Sequence, residues 1–237
     1  MARFDWDERA YLGLAAVMTV ALWQVPWGDQ VLYPFTLFAT FAHEAGHGLT
    51  ALVLGGHFER LTLFGNGSGV AEWTGNLGRV GRAMVAAGGL VGPATFGAGL
   101  FGASRKISAR TILVVLTVFI AWVMVMFARN GFTIGVLGFF AVVLLTTARI
   151  SPQKGASFLV QLLALQLALS VFRDLDYMFS SAGEVGGRWV RSDTGAIEDA
   201  LFLPYWIWGA ATAAFSFSVV LLGLWSLVFR RNAKPAN

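Results

Sequence analysis

Residues 35–56 read FTLFATFAHEAGHGLTALVLGG, and the rest of the chain is best read outward from them. The stretch is apolar and about as long as the roughly 20 residues a membrane-spanning helix needs. His43, Glu44 and His47 nevertheless stand inside it. Ionisable groups at membrane depth are expensive to bury and are by default a functional hypothesis. Residues four apart share a helical face, so His43 and His47 can turn imidazole nitrogens toward one ion. Glu44 lies close enough to act as general base on a water at that ion, the arrangement for which HExxH is known. Imidazole ligands suit zinc, and one Zn2+ per chain is expected. The plainer alternative is a polar cluster that bonds neighbouring helices.

Composition supports a membrane setting. Of 237 residues, 57% are hydrophobic and only 13% charged, with twenty Phe and nine Trp. A soluble domain carries about 25% charge, and disorder needs low hydrophobicity with high charge. The absence of cysteine excludes disulfide scaffolds and thiolate metal sites. The expected class is an all-α polytopic membrane protein. The net charge of +4 does not point to nucleic acid. Arg105-Lys106-Arg110, Arg149 and Lys154, and Arg230-Arg231-Lys234 flank apolar runs, as helix anchors do.

Seven candidate spans follow, at roughly 10–26, 32–55, 83–103, 111–128, 131–148, 156–179 and 202–229. The first is short, so six spans is the alternative. The N-terminus ARFDWDER is mixed in charge and no small-residue cleavage site follows, so this segment is not read as a cleavable signal peptide. Gly88 and Gly92 in the third segment make a small-xxx-small pair suited to close helix packing. Two stretches interrupt the apolar pattern. Around 57–74, a loose alternation over 58–64 places Glu59, Leu61 and Leu63 on one side of a strand. The cluster Gly65-Asn66-Gly67-Ser68-Gly69 then permits a turn, and Val70-Ala71-Glu72-Trp73 returns: a β-hairpin. Residues 180–200 are polar and Gly-rich and read as a loop outside the hydrocarbon. No repeat is present, and residues 1–237 form one domain.

A catalytic zinc site needs a third protein ligand. His57, the only other histidine, lies about 15 Å further along a continuous helix. The spacing HExxHxxGxxH is absent, with Thr50 and Val53 at the later positions. A carboxylate is therefore expected. Asp174 and Asp176 fall near the end of the sixth segment, at a depth comparable to His47 on the same side of the bilayer. They lie about 200° apart on a helix, so only one can face the metal. Asp174 is favoured, because Arg173 and Asp176 sit nearer the membrane edge. Asp193, Glu198 and Asp199 belong to the polar loop and are expected to be solvated; Glu59 and Glu72 on the hairpin are remoter candidates.

HEAGH in an apolar helix, the Gly55-Gly56 stop and a β-hairpin resemble the site-2 protease class of intramembrane zinc metalloproteases. The nearest likeness is to the small bacterial branch with little beyond the membrane core. FARNG at 127–131 and SVFRDLDYMF at 170–179 are similar to that branch, and the likeness covers roughly residues 30–230. It implies zinc held by His43, His47 and an aspartate, with Glu44 as base. It further implies an integral protein of the bacterial inner (plasma) membrane that cleaves a membrane protein or peptide substrate in or next to a transmembrane segment. An unwound substrate would be held extended by strand addition to the hairpin. Better-known members carry the aspartate in Asp-Gly after an Asn-Pro, whereas Asp174 precedes Leu175. The alternatives are a catalytically silent metal-binding protein that binds or regulates a membrane partner, and a transporter. A transporter should show paired broken helices, which the chain lacks; retention of Glu44 favours the enzyme over the silent binder.

Overall fold

Seven apolar stretches become seven long helices in the computed structural model, which describes the backbone of residues 6–228 and the side chains of residues 12–225. They are α1 (Trp6–Leu22), α2 (Gly28–Val53), α3 (Gly78–Ala103), α4 (Ala109–Phe127), α5 (Gly131–Ile150), α6 (Gln153–Arg173) and, as the ninth helix of the described residues, α9 (Tyr205–Val228). Between α6 and α9 lie two short helices, α7 (Leu175–Met178) and α8 (Asp193–Leu201). The side chains of the charged N-terminus and the basic cluster Arg230-Arg231-Lys234 fall outside the described residues.

Five of these helices, α3, α4, α5, α6 and α9, are long and apolar enough to cross a membrane. The protein is thus a helical polytopic membrane protein, with small two-stranded sheets. The other two expected spans fall short of that measure. Among the described residues the apolar part of α1 is Leu12–Leu22, and α2 carries Asp29, His43, Glu44 and His47.

Two hairpins stand on this bundle. The expected one forms from β1 (His57–Leu63) and β2 (Gly69–Thr74). A bulge between Phe58 and Arg60 shifts the register. It corrects the expected facing: Phe58, Leu61 and Leu63 go inward, while Glu59 turns out and accepts a 2.7 Å bond from Thr74. The Phe58 ring stacks on Phe127 with centroids 4.1 Å apart. The α4–α5 connection also grips β1. Asn130 caps α5 through the Thr133 N–H and donates to the Leu63 carbonyl, and the Thr133 hydroxyl accepts from the Leu63 N–H.

The second hairpin, β3 (Ala182–Val185) with β4 (Arg188–Arg191), lies where a loop is expected. Its two-residue turn is Gly186-Gly187, with φ of +57° and +79°. That is the conformation a two-residue hairpin turn demands and glycine supplies. The Gly186 N–H donates to the Ser68 hydroxyl, so the tips of the two hairpins meet.

Helices α2 and α3 approach closely because both are glycine-rich where they cross. A Cβ at Gly46 would stand 2.3 Å from the Gly88 carbonyl oxygen, and one at Gly92 2.8 Å from that of Ala42. The small-xxx-small reading of Gly88 and Gly92 therefore acquires a partner, the α2 segment that carries HEAGH. One core lies among α2, β1, α4, α5 and α6, and a second among α3, α6, α8 and α9; α6 contributes to both.

Candidate metal centre

The HEAGH turn lies deep in α2, with Glu44 and His47 buried and His43 nearly so. The helical spacing brings His43 Nε2 and His47 Nε2 to 3.1 Å. The third donor comes from α8. Asp193 Oδ2 lies 2.9 Å from His43 Nε2, and its Oδ1 3.3 Å from His47 Nε2. Among the described residues, His43, His47 and Asp193 are the one group of this kind that could hold a metal ion. Around zinc at about 2.0–2.2 Å, tetrahedral ligand atoms sit about 3.3–3.6 Å apart. The Nε2–Nε2 and Nε2–Oδ2 separations, 3.1 and 2.9 Å, are shorter than this, so the donors must move apart to admit the ion.

The surrounding bonds suit a metal as well. His47 Nδ1 lies 2.8 Å from the Val85 carbonyl oxygen, which can only accept. The proton is thereby placed on Nδ1, and the Nε2 lone pair faces the cluster, as a ligand's must. Space for this ring depends on Gly89: a Cβ there would stand 2.1 Å from His47 Nε2. Glu44 lies under the first hairpin, where a Cβ at Gly69 would come within 2.8 Å of its Cγ. The Ala71 N–H donates to the Glu44 carboxyl. The hairpin turn is tied down to α2 by Thr40, which donates to the Gly67 carbonyl, and by Tyr33, which donates to that of Gly65.

Asp193, expected from its polar surroundings in the sequence to be solvated, is instead at the centre of the cluster. It occupies the first position of α8, after Ser192, whose hydroxyl caps the helix through the Gly195 N–H. Ser192 and Thr194 are fully buried and both bond the Ser180 carbonyl oxygen. Burial alone would raise the Asp193 carboxyl, but the charges and hydrogen bonds of the two imidazoles more than reverse this and hold it below the usual carboxylate range. Asp174, expected as third ligand, is absent from the cluster. It is the residue at which α6 ends and α7 begins, and it lines a cavity of about 260 Å3 beside the site. That cavity is also lined by His43, Glu44, Tyr177, Gly69, Glu184 and Val185. Asp176 lines neither. Glu59 and Glu72 remain on the hairpin, away from the ligand cluster; Glu72 lies 3.6 Å from Arg60. Glu198 and Asp199 pair with Arg191.

The sequence held a signal for Asp193. Val185-Gly186-Gly187-Arg188 is a two-glycine hairpin turn, and Ser192 followed by Ile197 and Ala200 at helical spacing is a capped amphipathic helix. Together they turn a nominal loop into structure with a buried face.

Fold and site define a class: a membrane-embedded helical bundle whose HExxH helix forms, with an aspartate from elsewhere, a His-His-Asp group able to hold a metal. A family model described as Peptidase M50B-like matches residues 12–223, and the chain belongs to that family. No curated protein and no solved structure matches it significantly.

Proposed function

We propose that the protein is an intramembrane zinc metalloprotease, with His43, His47 and Asp193 as ligands and Glu44 as general base. The observation that carries this reading is the convergence of two imidazole nitrogens and one carboxylate within hydrogen-bond distance of one another. Membership of a peptidase family supports it. Zinc held by these three side chains would supply a Lewis acid and would acidify water for attack. Glu44 takes a proton from the attacking water and delivers it to the amine of the departing peptide. His47 is kept in the ligating tautomer by the Val85 carbonyl. Asp174 is not proposed as a ligand; its place in the cavity wall gives it contact with whatever enters.

The substrate on this reading is a membrane protein with a transmembrane segment, unwound beside the site. The outer edge of β1 is already engaged: Leu63 turns its N–H and C=O to Thr133 and Asn130, and Leu61 bridges to Ala128. In an antiparallel pair, the opposite residues Gly69 and Ala71 then turn their backbone groups away from β1 on the far side, toward Glu44. Strand addition is therefore assigned to the β2 edge, with the extended peptide lying between β2 and the Glu184–Val185 end of β3.

The test combines metal analysis with cleavage of a single-span substrate. Wild type should hold about one zinc per chain, His43→Ala should lose it, and Glu44→Gln should keep it and lose cleavage. Undiminished cleavage by Glu44→Gln would refute the enzyme reading.

A further inference from the structure

Tyr177 is the one aromatic hydroxyl that touches the metal-binding group among the described bonds. Its Oη donates to Asp193 Oδ2 at 3.3 Å and accepts from the Asp193 backbone N–H at 3.2 Å. A single phenol thus grips both ends of this residue. The ring itself is fixed from two sides. It meets the His43 ring edge-on, with centroids 6.2 Å apart. On the other side it lies under Gly183 of β3, where a Cβ would come within 2.7 Å of Tyr177 Cε2. Apart from the two imidazoles, Tyr177 is the side chain that bonds the Asp193 carboxylate among the described bonds. It is borne on a nine-residue helix after a hairpin rather than on a long helix of the bundle.

We infer that Tyr177 is the positioning residue of the metal centre: its hydroxyl orients Asp193 toward His43 and His47, and the second hairpin seats its ring through Gly183. The inference rests on the reading of Asp193 as a ligand. A carboxylate ligand needs one oxygen directed at the ion while an outer hydrogen bond fixes its plane, and removal of such an outer partner typically weakens metal affinity about 10–100-fold. The β3–β4 hairpin thereby becomes part of the site without contributing a ligand. It sets the ring, the ring sets the carboxylate, and the carboxylate completes the donor set.

The experiment is a zinc-affinity measurement by competition with a chromophoric chelator on the full-length protein in detergent, together with the visible spectrum of the cobalt-substituted protein. Tyr177→Phe removes only the hydroxyl and is expected to bind zinc about 10–100-fold more weakly, with an altered cobalt spectrum and an unchanged far-ultraviolet dichroism. Gly183→Ala keeps the hydroxyl but displaces the ring, and should weaken binding in the same direction; it also serves if Tyr177→Phe does not fold. Asp193→Asn is the control for the underlying reading. If Asp193→Asn binds zinc like wild type, the ligand assignment fails and this inference with it. If Asp193→Asn loses zinc while Tyr177→Phe or Gly183→Ala keeps wild-type affinity and the wild-type cobalt spectrum, the positioning role alone is overturned.

Discussion

At the level of single residues, the imidazole of His47 is defined by what surrounds it. The Val85 carbonyl fixes its proton on Nδ1, and Gly89 leaves the space in which Nε2 meets its partners. A methyl group at position 89 would occupy that space. Gly89→Ala should therefore lower zinc content sharply, as measured by metal analysis of purified protein, although residue 89 ligates nothing. Asp193→Ala should likewise lose zinc, whereas Asp174→Ala should retain it; equal retention in both would remove Asp193 from the ligand set. The two histidines and Glu44 were legible in the sequence because HExxH places all three on one helix, where local geometry alone brings them together. The third member of the His-His-Asp group was not, because Asp193 lies 146 residues beyond His47 and its approach depends on tertiary packing. The depth comparison between α2 and α6 led to Asp174, and it does reach the cavity beside the site. The chain instead turns back through a hairpin and delivers Asp193 from α8.

Among the elements, the first hairpin is legible in the sequence and the second is not, although glycine serves the turn in both. The Gly-rich cluster at 65–69 marks the turn between β1 and β2, whereas β3 and β4 have only four residues each and little apolar alternation. The second hairpin is held to α8 by Arg191, which donates to Asp199 and Glu198 and to the Ser181 carbonyl. Arg191→Gln should speed hydrogen exchange in β3, β4 and α8 while leaving α2 and α3 protected. The guanidinium hydrogen bond also holds the Asp199 carboxyl below its ordinary range. A depressed folded-state pKa contributes stability above the unfolded value, about 3.9, that is lost as pH falls through the folded value. The extra protection that Arg191 gives should therefore be present at neutral pH and vanish in acid, so that wild type and Arg191→Gln converge once pH has fallen below the depressed folded-state value of Asp199. The pair is largely exposed, and its effect should also weaken with added salt.

For the whole molecule, the glycine seam between α2 and α3 links the membrane bundle to the site. Gly46 allows α2 to lie against the Gly88 carbonyl, and the same approach brings Val85 and Gly89 to His47. Gly46→Val should destabilise the fold by on the order of 1–3 kcal/mol, seen as a lower unfolding temperature in detergent, and should diminish zinc binding with it. The bundle itself was largely given by apolar run length, which is why the seven long helices lie close to their expected ranges. The proposed chemistry depends on fewer residues, and the decisive measurement concerns one of them. In proteoliposomes containing a single-span substrate, zinc content and cleavage should be determined side by side for wild type and Glu44→Gln. The expected result is equal zinc, near one per chain, with cleavage in wild type and none in Glu44→Gln. Cleavage by Glu44→Gln at the wild-type rate, or by wild type stripped of zinc, would contradict the assignment of this site as a metalloprotease centre.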